Sequence, residues 1–180
     1  MEITKTPFRE LVIIRPRVFE DDRGYFFESW NREAFNKAGV PCDYVQDNQS
    51  GSAAGVLRGL HFQLPPHAQG KLVRVLKGSV LDVAVDLRKR ERTFGKHFSM
   101  TLSAADHTML YIPPGFAHGF ITLEDNTLFF YKCTGYYNRQ SERAILWNDP
   151  GLGIDWGTTS PLISEKDRAA LPFSDFDSPF

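Results

Sequence analysis

The 180-residue chain is poor in cysteine, with only Cys42 and Cys133, and has no excess of either charge, since 21 basic and 22 acidic residues leave a formal net charge of −1. Two thiols close at most one disulfide, which excludes the disulfide-stapled small folds; a reduced pair in a cytoplasmic protein is the expected state. Balanced charge excludes a global field that recruits nucleic acid or an anionic membrane, so an anionic ligand has to be held by a local group of arginines and lysines. No apolar run is long enough to span a bilayer, and the first residues lack the basic n-region and apolar h-region of a secretory signal. Internal repeats, low-complexity tracts and linker-like shifts are missing too, which points to one domain over residues 1–180.

What the chain does have is aromatic and β-branched. Fifteen Phe and 3 Trp in a 42% hydrophobic sequence suffice for one sizeable core. Short runs of such residues read as strands: Leu11–Phe19, Tyr25–Trp30, Tyr44–Asn48, Val56–Gln63, Leu72–Leu76, Val80–Leu87, Lys96–Leu102, Thr108–Ile112, Gly119–Leu123 and Leu128–Cys133. Turn chemistry such as Lys77-Gly78-Ser79 and Pro113-Pro114-Gly115 separates them. Only Arg32–Ala38, closed by Gly39, and Glu165–Leu171, with Ser164 as N-cap and Pro172 beyond, read as helices. The pattern predicts an all-β fold, a cupin-type jelly-roll barrel with short terminal helices.

Two histidines stand out in this frame. His61 lies in VLRGLHFQ (56–63) and His118 in IPPGFAHGF (112–120), segments that bring imidazoles from separate strands into one cavity. The His-x-His pair and downstream carboxylate of a metal-binding barrel are missing, and two imidazoles make a poor site for zinc or iron, so no metal is expected. His67, His97 and His107, in polar surroundings, read as structural residues satisfied by hydrogen bonds. Without metal, paired imidazoles suit proton transfer near neutral pH. An enolate formed next to a carbonyl needs a cation or donors at its oxygen, and Lys71 and Arg58 are at hand. Lys71 and Arg74 are three apart on one strand, so only one of them points inward.

Three further positions have two readings each. Tyr131 shares a strand face with Phe129, as a core residue or an acid. Asp167, three after Ser164, is a capping-box carboxylate or the orienter of an imidazole. In Val80–Leu87, Asp82 and Asp86 alternate with an apolar set, which for an isolated strand means a solvated face and inside a barrel allows Asp82 to hydrogen-bond a base. Tyr136-Tyr137, in a polar turn, can stack on a flat ring. A sugar- or nucleotide-binding cupin without turnover and a metal-dependent dioxygenase compete with the proton-transfer reading, the latter needing ligands that the chain does not show.

From Phe8 to Asp167 the chain resembles the dTDP-4-dehydrorhamnose 3,5-epimerase family. The resemblance is carried by ordered blocks: DRGYFFES (22–29), VQDN (45–48), LRGLHFQ (57–63), QGKLVR (69–74), DVAVD (82–86), TFG (93–95), IPPGFAHGF (112–120), YKCT (131–134), WNDP (147–150) and SEKD (164–167). It implies a metal-free cupin homodimer without cofactor that inverts C3 and C5 of dTDP-4-dehydro-6-deoxy-D-glucose, giving the L-rhamnose precursor. By position, His61 matches the general base, Asp167 its partner and Tyr131 the acid on the opposite ring face. Lys71 corresponds to the group near the keto oxygen and His118 to a further pocket ligand. Arg23, Glu28, Gln46, Asp47, Asn48, Arg58, Glu142 and Lys166 match nucleotide and diphosphate contacts, and Tyr137 a thymine-stacking position. Within the family, single-centre epimerases of dTDP-4-keto sugars share the fold, and Tyr131 separates the two-centre enzyme from keto-isomerases.

Overall fold

The computed structural model describes residues 1–180. In chain order its strands are β1 (Glu2–Lys5), β2 (Val12–Arg15), β3 (Phe19–Asp21), β4 (Gly24–Phe26), β5 (Gln46–Ser52), β6 (Leu57–Gln63) and β7 (Lys71–Lys77). They continue as β8 (Ser79–Asp86), β9 (His97–Ser103), β10 (Met109–Ile112), β11 (Phe116–Thr122), β12 (Thr127–Cys133) and β13 (Glu142–Ala144), and the helices are α1 (Arg32–Lys37) and α2 (Glu165–Arg168). One sheet has the order β1-β2-β10-β7-β12-β5, the other β13-β6-β11-β8-β9, and β3 pairs with β4 as a separate hairpin. Each ladder in both sheets is antiparallel. This is the two-sheet jelly roll of the cupin kind, as the spacing of short strands and turns predicts.

Strand alternation decides where the cores lie. On β8, Val80 and Ala84 enter the space between the sheets and meet Val73, Val75 and Phe129 of the opposite sheet. Val83, Val85 and Leu87 point the other way and are covered by Trp147, Leu152 and Trp156 from the C-terminal stretch. A third cluster forms where Phe35 of α1, Val40 and Cys42 cover Ile14, Leu72, Met109 and Tyr111. α1 starts where the Asn31 side chain accepts from the Ala34 N–H, and the chain turns at Gly39 with φ +72°. No helix is long and apolar enough to cross a membrane.

Several expectations need correction. The run Leu11–Phe19 breaks after Arg15, where Pro16 has no N–H for a ladder, and resumes only as β3. Tyr25–Trp30 is a strand only through Phe26. β5 extends through the polar stretch to Ser52, and β1 and β13 lie outside every expected run. The second helix is one turn, ending at Arg168; Leu171 instead forms a parallel bridge with Ile145. Asp82 and Asp86 are not on a solvated face, since both have no exposed surface. The Asp86 carboxylate is gripped by Arg88 at 2.8 Å and by the Thr93 hydroxyl at 2.6 Å. Asp82 faces the site described below.

β6 and β11, neighbours in the second sheet, approach closely at Gly59 and Gly119. A Cβ on Gly59, whose φ is +143°, would stand 2.5 Å from the Gly119 Cα. Gly59→Ala is therefore expected to destabilise the fold by about 3 kcal/mol, a fall of about 6–12 °C in Tm. A melting temperature equal to that of the parent would show that the strands separate here without cost.

Candidate active site

Between the sheets lies a cleft of about 560 Å³, lined from β5, β6, β7, β11 and β12 and bordered by residues 162–167, with a side lobe of about 300 Å³ sharing His61, Lys71, Tyr131 and Asn48. His61 reaches it because β6 is irregular. In a regular strand, residues three apart point to opposite faces, yet Arg58 and His61 both line the cleft. The pairing with β11 slips between His118↔His61 and Phe120↔Arg58, so three steps on β6 match two on β11. That extra residue re-aims the side chains.

The His61 Nε2 lies 2.5 Å from Asp167 Oδ1. Of its two readings, the structure gives Asp167 the partner of an imidazole and not the capping-box carboxylate, since its side chain turns to His61 and the Gly59 N–H instead of back to the Ser164 N–H. Its backbone N–H donates to the Ser164 hydroxyl at 3.2 Å, which starts α2, while its buried carboxylate holds the imidazole. Burial pushes the Asp167 carboxyl up, but the His61 hydrogen bond and charge, the Gly59 N–H and Ser164 more than offset it, and the group lies below the usual carboxylate range. With Nε2 engaged by a carboxylate, Nδ1 is the ring nitrogen free to accept a proton.

His118 stands beside His61 as its cross-strand neighbour and is almost fully buried. Its Nε2 lies 2.9 Å from Asp82 Oδ2. Lys71, at the start of β7, points inward, and Arg74 points outward against the rings of Phe27 and Phe130, as three-residue spacing on a strand requires. The Lys71 Nζ contacts the His61 carbonyl at 3.5 Å and lies 5.8 Å from the Tyr131 ring centroid. Tyr131 faces the cleft from β12, in the sheet opposite His61. Burial raises its phenol above the ordinary value, so it is a proton donor rather than an anion at neutral pH.

A polar rim continues from this centre. The Tyr137 hydroxyl donates to Glu142 Oε2 at 2.9 Å, and Lys166 Nζ pairs with the same oxygen at 2.6 Å. Gln46 accepts from the Tyr137 N–H at 2.8 Å and donates to Asn48 Oδ1 at 3.0 Å. Gln63, which the sequence reading did not single out, supports this turn. Its amide donates to the carbonyls of His67 and Tyr136 at 2.7 and 3.2 Å and accepts from the Asn138 N–H at 2.6 Å. A glutamine ending an apolar strand is the signal that marks it.

Not every expected residue gathers here. Asp47 follows the alternation of β5 outward and pairs with Lys132 at 2.9 Å, whereas Gln46 and Asn48 face the cleft. Arg23 is on the exposed β3–β4 hairpin, paired with Asp21, and Glu28 accepts from Asn31 at 3.0 Å; neither lines the cleft of its own chain. Among the other histidines, His97 contacts the Leu152 carbonyl at 3.1 Å, but His107 is held by rings, 4.5 and 4.8 Å from the centroids of Tyr25 and Phe27. No three His, Cys, Asp or Glu side chains converge as a metal site would need.

Two imidazoles, one half-buried and one buried, each on a buried carboxylate, with an inward lysine and a tyrosine on the opposite wall, are the parts of a proton-transfer site. Known proteins resemble the chain over nearly its whole length. The family model described as dTDP-4-dehydrorhamnose 3,5-epimerase matches residues 5–175. Relatives of that description are 51% identical over 179 residues in Pseudomonas aeruginosa and 49% identical over 178 residues in Shigella flexneri, each match covering 98% of both chains. The solved structure of a dTDP-6-deoxy-D-glucose-3,5-epimerase from Legionella pneumophila, in complex with dTDP-4-keto-L-rhamnose, superimposes with a TM-score of 0.93 at 44% identity and covers 98% of this chain and 94% of that one. On this fold, this site and this likeness, the chain belongs to the dTDP-4-dehydrorhamnose 3,5-epimerase family.

Proposed function

We propose that His61, Asp167, Lys71 and Tyr131 perform the reaction of this family, inversion of C3 and C5 of dTDP-4-dehydro-6-deoxy-D-glucose. The protein is an epimerase of a dTDP-linked 4-keto sugar. Both carbons flank the C4 ketone, so one carbonyl acidifies both protons and one enolate-stabilising group serves both steps. The His61 Nδ1 takes the proton, the C–H electron pair moves to O4, and the Lys71 ammonium stabilises the oxyanion. When the pair returns, Tyr131 gives a proton to the opposite face of the same carbon; its phenolate then recovers one from solvent and the His61 imidazolium releases its own to solvent, which resets both for the second carbon. The observation that supports this most directly is the placing of His61 and Tyr131 on opposite sheets with the Lys71 Nζ near both. Incubation with the keto sugar nucleotide in deuterium oxide, with deuterium read at C3 and C5 separately, tests it; a single labelled and inverted carbon would indicate a single-centre epimerase.

Arg58, Gln46, Asn48, His118, Tyr137, Glu142 and Lys166 serve as contacts for the sugar nucleotide in this reading, with Tyr137 against the base. The reaction needs no metal in this reading, because no three His, Cys, Asp or Glu side chains converge in the cleft, fewer than a closed or catalytic metal site takes from the protein. Extended treatment with a strong chelator is expected to leave turnover unchanged. Loss of turnover that one divalent ion restores would overturn the metal-independent mechanism.

The working unit is a homodimer in the cytoplasm, each chain forming one catalytic domain over residues 1–180. Phe19, Tyr25 and Phe26 on the β3–β4 hairpin are 51%, 62% and 67% exposed, an apolar surface that a second chain covers. Arg23 and Glu28, outside the cleft of their own chain, then reach that of the partner. Sedimentation is expected to give a dimer at working concentrations; a fully active monomer contradicts this.

A further inference from the structure

Asp82, on β8, is completely buried, and its two carboxylate oxygens are used differently. Oδ2 binds His118 Nε2 at 2.9 Å, whereas Oδ1 is buried without a hydrogen-bond partner. Burial holds the His118 imidazole below its ordinary value even against the Asp82 charge, so His118 is neutral at neutral pH, donates its Nε2 proton and leaves the carboxylate without a cation. A buried carboxylate in that state is costly unless a positive charge stands near.

Lys71 has the converse problem. Burial pushes its ammonium group down, and its one protein hydrogen bond is the 3.5 Å contact to the His61 carbonyl. The groups facing it can be taken in turn. Tyr131 and Cys133 on β12 stay neutral, since burial raises both. Asp167 is committed to His61, and Glu142 on β13 to Lys166 and Tyr137. Arg58 and Lys166 are themselves cations. Of the two carboxylates whose charge favours the protonated form of Lys71, Asp82 and Glu142, only Asp82 has no cation of its own.

We propose that Asp82 is a positioning residue for the epimerisation, its buried carboxylate acting through neutral His118 as the counter-charge that keeps Lys71 an ammonium ion during turnover. This rests on the reading of Lys71 as the enolate's cation. Both sides of the arrangement are fixed by the sheet: Asp82 pairs with Phe120 and His118 with Ala84 in the β8–β11 register, so the carboxylate comes up beneath the imidazole from the neighbouring strand. Lys71 lines the same cleft as His118, from the opposite sheet.

The test is the pH profile of deuterium exchange in Asp82→Asn. The amide oxygen still accepts from His118, so the shape of the site is kept and the charge is lost. Lys71 then gives up its proton at lower pH. The alkaline limb of kcat should move down by about one pH unit, with activity at the acidic end and dTDP affinity close to those of the parent. Loss of activity by the same factor at every pH, or an unmoved alkaline limb, would overturn the proposal, because a merely structural role gives either result. If Asp82→Asn does not fold, Glu142→Gln carries the test. Whatever its effect on turnover, its alkaline limb must stay within about 0.3 units of the parent, whereas a shift of about one unit makes Glu142 the counter-charge and refutes Asp82. Lys71→Ala separates the two levels. Full exchange in that variant sinks the reading of Lys71 itself, while abolished exchange there with an unmoved limb in Asp82→Asn sinks the Asp82 inference alone.

Discussion

His61→Asn is expected to abolish deuterium exchange at both C3 and C5, a fall of about 10²–10⁴ in rate, while dTDP binding is nearly unchanged. The variant keeps a polar side chain of similar reach beside Asp167, so the pocket holds its shape, but an amide does not take a proton usefully near neutral pH. Nothing else in the cleft replaces the base. The other imidazole, His118, is buried and tied to Asp82, and burial makes it a weaker proton acceptor than free imidazole. Lys71 is needed as a cation. Exchange by NMR, with dTDP affinity by calorimetry on the same sample, checks the result. Exchange at both carbons within tenfold of the parent would mean that another group is the base.

Tyr131→Phe is expected to separate two events that the parent couples. Inversion requires the proton to leave one face of the ring and return to the other, so an acid has to stand across the sugar from His61. Tyr131 faces the cleft from the opposing sheet, and burial keeps its phenol protonated. Removing one oxygen leaves the ring beside Phe129, at a centroid distance of 6.1 Å, so the fold is retained. The variant should still exchange through His61 but lose inversion, at C5 above all, by about 10²–10⁴, because a proton handed back by His61 restores the starting configuration. Labelled substrate without labelled epimer is the expected product. Inversion of both centres at the parent rate would make the tyrosine a packing residue and leave water or another group as the acid.

The elements that were legible in the sequence are those whose periodicity is pure. Val80–Leu87 alternates without interruption and is β8 to within a residue at each end. Ser164 followed by Asp167 marks a helix start, which is where α2 begins. β5 is only partly legible in the sequence because Gln46–Ser52 carries polar residues on both faces, and polar alternation looks like a loop until a neighbouring strand accepts its backbone. The expected Glu165–Leu171 helix stops early because Leu171 gains more by joining Ile145 at the sheet edge. Asp82 and Asp86 were ambiguous for a different reason. Alternation says which residues share a face, and it does not say whether that face meets water or a second sheet.

The sequence by itself determined the jelly-roll class, the pairing of His61 with His118 in one cavity, that only one of Lys71 and Arg74 points inward, and the family. These follow from side-chain period, turn chemistry and ordered motifs, all of which are local or linear along the chain. Only the tertiary structure decided how the cleft is wired. It took the slipped register at Gly59 to turn Arg58 and His61 to the same side, the return of residues 162–167 to bring Asp167 to the imidazole, and the alternation of β5 to send Asp47 outward to Lys132. The same is true of Asp82, whose burial beneath His118 depends on β8 and β11 lying side by side and on the opposite sheet closing over them. Charge state and proton direction arise from contacts between residues far apart in sequence, and those exist only once both sheets have closed on each other.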